Sequence, residues 1–260
     1  MDKTTIERYG DELYQALLDR KAVDPLTDRE PGITIDDAYQ IQLRMIQRRL
    51  DAGETVIGKK IGVTSKVVMQ MLNVNQPDFG QMTSGMVFSE GEPIRADSMI
   101  APRAEAEVAF VLKSDLYGPG VTAADVLRAT DFVVPCFEIV DSRIKDWKIK
   151  IQDTVADNAS CGVLTLGGAK KSPRQLDLAL AGMVLEKNGE IISTSTGAAV
   201  QGSPVNAVVW LANTLGRLGI GLKAGEIILS GSQSPLVPVK AGDSLNCSVG
   251  GLGSTSVRFI

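Results

Sequence analysis

Histidine does not occur anywhere in the 260 residues of this chain. Its absence excludes Ser-His-Asp and Cys-His nucleophile activation, His-ligated zinc and imidazole proton transfer at neutral pH. Catalysis would rest on carboxylates, lysine, hydroxyls, thiols or a metal. Cysteine is scarce: Cys136, Cys161 and Cys247 are far apart, odd in number and form no Cys-x-x-Cys. That pattern fits neither a disulfide framework nor a thiolate zinc site, so three buried, reduced thiols are expected. No apolar run approaches the ~18 residues of a membrane span, and Asp2, Lys3, Glu7, Arg8, Asp11 and Glu12 interrupt the start of the chain. The expectation is a cytoplasmic protein with no targeting peptide and no membrane contact. Basic charge is not in excess either, since 27 Lys+Arg stand against 31 Asp+Glu for a net charge of −4. The short basic groups, Arg48-Arg49 and Lys145 to Lys150, read as solvated faces, and no nucleic-acid partner is expected. The glycine-rich segments 197–202 and 250–253 match neither a P-loop nor a dinucleotide fingerprint.

What is present is ample apolar material, 44% of residues with 22% charged, enough for a packed core. The N-terminal third reads as helical. Thr4-x-x-Glu7 has the form of a capping box, followed by Ile6, Tyr9, Leu13 and Leu17 at helical spacing. Thr34-x-x-Asp37 opens a second helix with Tyr39, Leu43, Ile46 and Leu50 on one stripe and Gly53 at its end. From Val56 onward the periods shorten, and Met86–Phe88, Glu105–Leu112, Asp131–Val140 and Glu226–Ser230 read as strands. Asn188-Gly189 suits a two-residue type I′ hairpin turn. Helices interrupt this β-rich part after Thr122 and after Ser203-Pro204. Strands and helices do not alternate regularly, so the expected class is α+β, with a mainly helical region over 1–75 and a β-rich catalytic domain over 76–260.

The most informative stretch is Pro102-Arg-Ala-Glu105-Ala-Glu107-Val-Ala-Phe-Val-Leu112. On a strand, Glu105 and Glu107 share one face while Ala106, Val108, Phe110 and Leu112 take the other. Two carboxylates in so apolar a segment raise one another's pKa unless a cation compensates them. Glu138 has a similar setting in Val133-Val-Pro-Cys-Phe-Glu138-Ile-Val, with Asp141 just beyond. Oxygen-only ligation without imidazole or thiolate suits Mg²⁺ or Mn²⁺. Lys59 and Lys60 sit among apolar and glycine neighbours. Alternation puts them on opposite faces, so at most one should point inward, and the pattern leaves open which. Asp78 in Gln76-Pro-Asp78-Phe-Gly80, and the polar run from Asp153 through Asp157 to Ser160, could supply acid/base or substrate-binding groups or could simply form turns.

Taken in order, GKKIGVTS at 58–65, QPDFG at 76–80, PRAEAEVAFVL at 102–112, PCFEIVDSRIKDWK at 135–148, ADNAS at 156–160, GSPVNAVVWLANTL at 202–215 and the C-terminal GGLGSTSVRFI resemble the fumarylacetoacetate hydrolase superfamily. The likeness is to its branch of 2-hydroxypentadienoate hydratases and 4-oxalocrotonate decarboxylases, and it spans most of the chain. It implies a helical N-terminal segment on a rolled, mixed β-sheet core. It also implies Mg²⁺ or Mn²⁺ held by Glu105, Glu107 and Glu138, with Lys60 as the inward lysine. A homo-oligomer and a complex with the homologous decarboxylase are further implications. QPDFG and GKKIGVTS resemble the hydratase pattern, whereas the decarboxylase pattern has a non-acidic residue in place of Asp78. The implied reaction is metal-dependent hydration of 2-hydroxypenta-2,4-dienoate to 4-hydroxy-2-oxopentanoate, with Lys60 supporting developing charge, Asp78 moving protons and Ser160 hydrogen-bonding the substrate. The alternatives are decarboxylation of 2-oxo-3-hexenedioate and a non-catalytic partner subunit. Acylpyruvate hydrolysis is disfavoured, because the superfamily's hydrolases often activate water with a Glu-His pair.

Overall fold

The structure, a computed structural model, describes residues 1–260 except for the side chain of Met71. Three helices come first: α1 (Lys3–Asp19), the single turn α2 (Leu26–Arg29) and α3 (Ile35–Asp51). After them come β1 (Val56–Gly62), α4 (Lys66–Met71), β2 (Asp78–Thr83), β3 (Val87–Phe88), β4 (Arg103–Leu112), α5 (Ala123–Ala129) and β5 (Thr130–Val140). The chain continues through α6 (Ile151–Ala156), β6 (Cys161–Leu166), β7 (Gly182–Lys187), β8 (Glu190–Thr196), α7 (Pro204–Arg217), β9 (Ile227–Leu229), β10 (Val237–Pro238), β11 (Ser244–Val249) and β12 (Gly253–Arg258). No helix among the described residues is long and apolar enough to cross a membrane.

Local chemistry explains most boundaries. Thr34 and Thr122 cap α3 and α5 with reciprocal boxes to Asp37 and Asp125, and Ser203 with Pro204 starts α7. Helix α1 departs from expectation. Its cap is Asp2, whose carboxylate accepts from the Thr5 amide. Thr4 therefore lies inside the first turn, because an ionised carboxylate next to the helix N-terminus is a stronger acceptor than a hydroxyl. On α3 the buried face is Ala38, Ile41, Gln42, Met45 and Ile46, and Leu43 is exposed. The face is rotated from the expected stripe because α3 packs against both α1 and α6. Asn188 and Gly189, both with positive φ, form the expected two-residue turn between β7 and β8.

Eight strands form a mixed sheet in the order β2-β1-β9-β4-β5-β6-β3, with β10 pairing β4, and β12-β11-β7-β8 form a second sheet. Only β1/β9 and β3/β6 pair in parallel. The α+β class and the curled mixed sheet agree with expectation. One face of the large sheet, carrying Ala106, Val108, Phe110, Phe137 and Ile139, packs on Leu185, Leu245 and Val257 of the small sheet and on Val208 and Leu211 of α7. This is the main core. A separate cluster of Tyr9, Leu13, Ile41, Met45 and Val155 joins the N-terminal helices to α6. Buried Gln42 of α3 ties that layer to the sheet by donating to the carbonyls of Phe79 and Val155 at 3.0 and 2.9 Å.

Candidate active site

Register alone brings the acidic residues together. In the antiparallel β4/β5 pair Glu105 lies directly opposite Glu138, and Glu107 lies opposite Cys136. Paired residues share a face, so the three glutamates point to the same side, away from the main core. Lys60 pairs with Leu229 of β9, which pairs with Ala109 of β4, and Gly62 pairs with Asp78. The same rule therefore carries Lys60 and Asp78 to the glutamate face. The rest of that face is lined by Met82, Met86, Val134, Cys136, Cys161 and Leu164, an apolar bed under the charged groups. All three cysteines are buried and unpaired, as expected.

The geometry is that of an oxygen-donor cation site. One carboxylate oxygen each from Glu105, Glu107 and Glu138 lies within 4.8 Å of the others. Glu107 and Glu138 are fully buried and Glu105 is half-buried. Gly231 N–H donates to Glu107 Oε2 at 2.8 Å. Glu107 Oε1, both oxygens of Glu138 and both oxygens of Asp78 accept no hydrogen bond from the described residues. So many orphaned acceptors in one place fit a ligand that supplies positive charge. Lys60, 3% exposed, stands 3.2 Å from Glu138 Oε1 in an ion-pair contact.

One ammonium does not balance four carboxylates. Burial and then the neighbouring Glu138 charge push the Glu105 carboxyl up to about 7. Burial, with Glu138 and Glu105, raises Glu107 well above the ordinary carboxyl range. Glu138 and Asp78 are also raised by burial, and Lys60 opposes both shifts. Burial by itself would lower Lys60, but the charges of Glu138, Asp78 and Glu105 outweigh it and keep the ammonium protonated.

A cavity of about 470 Å³ opens onto this face, lined by Lys60, Asp78, Glu105 and Ser160 among others. The structure thus brings every expected site residue to one place, with Glu107 and Glu138 beside the half-buried Glu105. Asp78 approaches over Gly62, where an added Cβ would stand 2.3 Å from Asp78 Oδ1; only a residue without a side chain lets the carboxylate lie there. Val67, Val68, Leu72, Trp147, Ile149 and Leu236 make part of the lining apolar. Lys60 is the one cation among the described lining residues.

Two features depart from the sequence reading. Lys59 and Lys60 are both buried, at 6% and 3% exposure, because β1 is an interior strand covered on both faces. Lys59 points the other way and pairs with Glu226 at 2.8 Å. The loop Ser232-Gln233-Ser234 also lines the cavity, and Gln233, 4% exposed, has an unpartnered Oε1. Nothing in its local pattern marks it, since it reaches the site only through the crossover after β9.

Comparison with known proteins agrees with this fold. Residues 59–260 match the fumarylacetoacetate hydrolase C-terminal family, and the chain belongs to that family. It is 57% identical over 260 residues to a 2-hydroxyhexa-2,4-dienoate hydratase of Comamonas testosteroni, covering 99% of this chain and 98% of that one. It is 64% identical over 222 residues to a 2-hydroxypent-2,4-dienoate hydratase of Pseudomonas putida, covering 85% of this chain and all 100% of that one. Among solved structures, the 4-oxalocrotonate decarboxylase of Pseudomonas putida G7 complexed with magnesium and adipate superposes with a TM-score of 0.97 at 35% identity, covering 100% of this chain and 99% of that one.

Proposed function

We propose that this chain is a metal-dependent hydro-lyase that adds water to 2-hydroxypenta-2,4-dienoate and yields 4-hydroxy-2-oxopentanoate, a step of aromatic meta-cleavage catabolism. The observation that carries the reading is the cluster of three carboxylates beside Lys60, with Asp78 on the wall of the same cavity. The hydratase names of its relatives support it.

Glu105, Glu107 and Glu138 would hold the metal, and an all-carboxylate donor set suits Mg²⁺ or Mn²⁺. When bound, that ion supplies positive charge that polarises the 2-oxygen of the substrate and lowers the cost of an enolate. The protein's own groups do the rest. Lys60 faces the charge that develops on the carboxylate and 2-oxygen end of the substrate. Asp78 is held protonated more readily than an ordinary aspartate because it is buried, which suits it to deliver a proton to C5. The resulting carboxylate recovers a proton from the water that attacks C4. The proton lost from the 2-hydroxyl is matched by the one gained at C3, so the sum is the addition of one water.

The lack of a second cation among the described lining residues favours hydration of a monocarboxylate over decarboxylation of a dicarboxylate. A second carboxylate would find apolar side chains such as Val67, Leu72, Ile149 and Leu236 in the lining and no cation besides Lys60 to receive it. The test is a paired assay with Mg²⁺ or Mn²⁺ and EDTA controls, offering freshly generated 2-hydroxypenta-2,4-dienoate and 2-oxo-3-hexenedioate separately. The expected result is metal-dependent 4-hydroxy-2-oxopentanoate from the first and no CO₂ from the second. CO₂ from the second without hydration of the first would replace this reading by the decarboxylase.

A further inference from the structure

Ser160 reaches the cavity from an unusual stretch of backbone. Asn158, Ala159 and Ser160 have φ of 56, 51 and 52°, three consecutive non-glycine residues in the left-handed region. Asparagine tolerates that conformation, but alanine and serine do so only under constraint. The constraint is visible. Asn158 is locked to β2, accepting from Gln81 N and donating to Gln81 O at 2.8 Å each. The guanidinium of Arg143, fully buried, fastens both ends of the turn. It donates to the carbonyl of Asp157 before the turn and, at 3.0 Å, to that of Cys161 after it. A further bond runs from Arg143 Nε to Asp157 Oδ1 at 2.5 Å.

The same carboxylate sets the direction of the Ser160 hydroxyl. Asp157 Oδ2 receives the Arg143 amide at 3.1 Å, Ser142 Oγ at 3.2 Å and Ser160 Oγ at 3.3 Å. Burial pushes Asp157 up to about 6 while Arg143 opposes the shift, so it is mostly ionised at neutral pH. An ionised carboxylate only accepts. The Ser160 proton is therefore turned toward Asp157, and its lone pairs are left for the cavity.

We propose that Arg143 and Asp157 are positioning residues that hold the left-handed turn so that Ser160 meets the substrate as a hydrogen-bond acceptor, receiving the 2-hydroxyl of a 2-hydroxy-2,4-dienoate. This deepens the hydratase reading and rests on it. The test compares 2-hydroxypentanoate with 2-oxopentanoate, which share a carbon skeleton but differ in whether the 2-oxygen carries a proton. Their binding to the Mn²⁺-loaded protein is measured by calorimetry, which needs no turnover, and the wild-type hydration assay is run beside it. Failure of that assay counts against the hydratase reading, and failure of the binding pattern counts against this one.

Ser160→Ala should weaken 2-hydroxypentanoate about tenfold and 2-oxopentanoate less than about twofold, as expected for the loss of one hydrogen bond. KM for the dienoate should rise by about the same tenfold, with kcat changed less than about threefold. Arg143→Lys cannot hold two carbonyls and a carboxylate with one ammonium, and it should reproduce that pattern with the double variant no worse than Ser160→Ala alone. Where Arg143→Lys does not fold, Asp157→Glu keeps the charge opposite Arg143, displaces the acceptor and carries the same comparison. Equal weakening of both acids by Ser160→Ala would overturn the acceptor role. A fall in kcat with acid selectivity intact in Arg143→Lys or Asp157→Glu, or effects that multiply in the double variant, would overturn the positioning role.

Discussion

Replacing Glu107 with glutamine should abolish metal binding and turnover yet make the metal-free protein more stable at alkaline pH. The ligand oxygens of Glu105, Glu107 and Glu138 lie within 4.8 Å of one another. Two unit charges at that separation repel by about 3.5 kcal/mol at an effective dielectric of about 20. Lys60 and proton uptake relieve part of this, leaving a net gain of about 1 to 2 kcal/mol on removing one charge. Glutamine keeps an oxygen for the Gly231 amide, so that 2.8 Å bond survives the change. The pH dependence follows from the direction of the shifts. Burial, then Glu138, raises the Glu105 and Glu107 carboxyls, Glu105 to about 7. The folded chain therefore holds protons that the unfolded chain has already released above its ordinary carboxyl pKa. This contribution is fully present below the ordinary value and is lost as pH rises through the raised folded values. In EDTA, variant and wild type should melt close together near pH 5 and separate near pH 8.5. At about 2 to 4 °C per kcal/mol for a chain of this size, the variant should lead by about 2 to 8 °C there. Added Mn²⁺ should then raise the wild-type melting temperature with concentration and leave the variant unmoved. A variant that melts below wild type near pH 8.5 in EDTA, or that retains the Mn²⁺ shift, would refute the assignment of Glu107 as a charge-crowded ligand.

Lys60→Met removes the one cation among the described cavity-lining residues, and kcat/KM should fall by about 10² to 10³; a loss smaller than tenfold would remove its electrostatic role. Asp78→Asn should lower kcat by about 10² with Mn²⁺ affinity unchanged within about twofold, checked by steady-state hydration and metal titration. An unaffected rate would show that the acid/base group lies elsewhere. Gly62→Ala would place a Cβ 2.3 Å from Asp78 Oδ1. It should lower stability by about 1 to 3 kcal/mol through overpacking and slow hydration as Asp78→Asn does, and a rate equal to wild type would mean that the carboxylate's position does not matter.

The strand that carries the site was legible because period-two alternation is strong in 102–112, with Glu105 and Glu107 on one side and alternate apolar residues on the other. That Glu138 joins them is a different kind of fact. It depends on β4/β5 register, which sets Glu105 opposite Glu138, and no local pattern encodes register between distant strands. The choice between Lys59 and Lys60 was open for the same reason. Both side chains find carboxylates, the partly buried Glu226 and the fully buried Glu138, and only the parallel insertion of β1 beside β9 shows which one shares the cavity. Resemblance to a known family supplied that long-range information where periodicity could not. The turn at 158–160 illustrates the limit most clearly. Its sequence, Asn-Ala-Ser, contains no glycine, and its left-handed path is imposed by Arg143, 15 residues before Asn158 in number but in contact with both ends of the turn.

Fold similarity does not choose between hydration and decarboxylation, because the solved decarboxylase shares this architecture along the whole chain. The choice lies in a few side chains around a common carboxylate cluster. Loss of CO₂ needs an electron sink and little else, and on the proposed reading a metal held by the glutamates, with Lys60 beside it, would supply that for either reaction. Water addition further needs a group that gives up a proton and takes one back within a single turnover, and such a group must titrate near neutral pH. An exposed aspartate gives up its proton too readily for that; Asp78, whose two oxygens are buried without partners, has its carboxyl raised by that burial and holds a proton more readily. On the proposed reading, the unpaired state of Asp78, costly to folding, is what would make it useful to a hydratase, and Gly62 is the residue that lets the chain place it there.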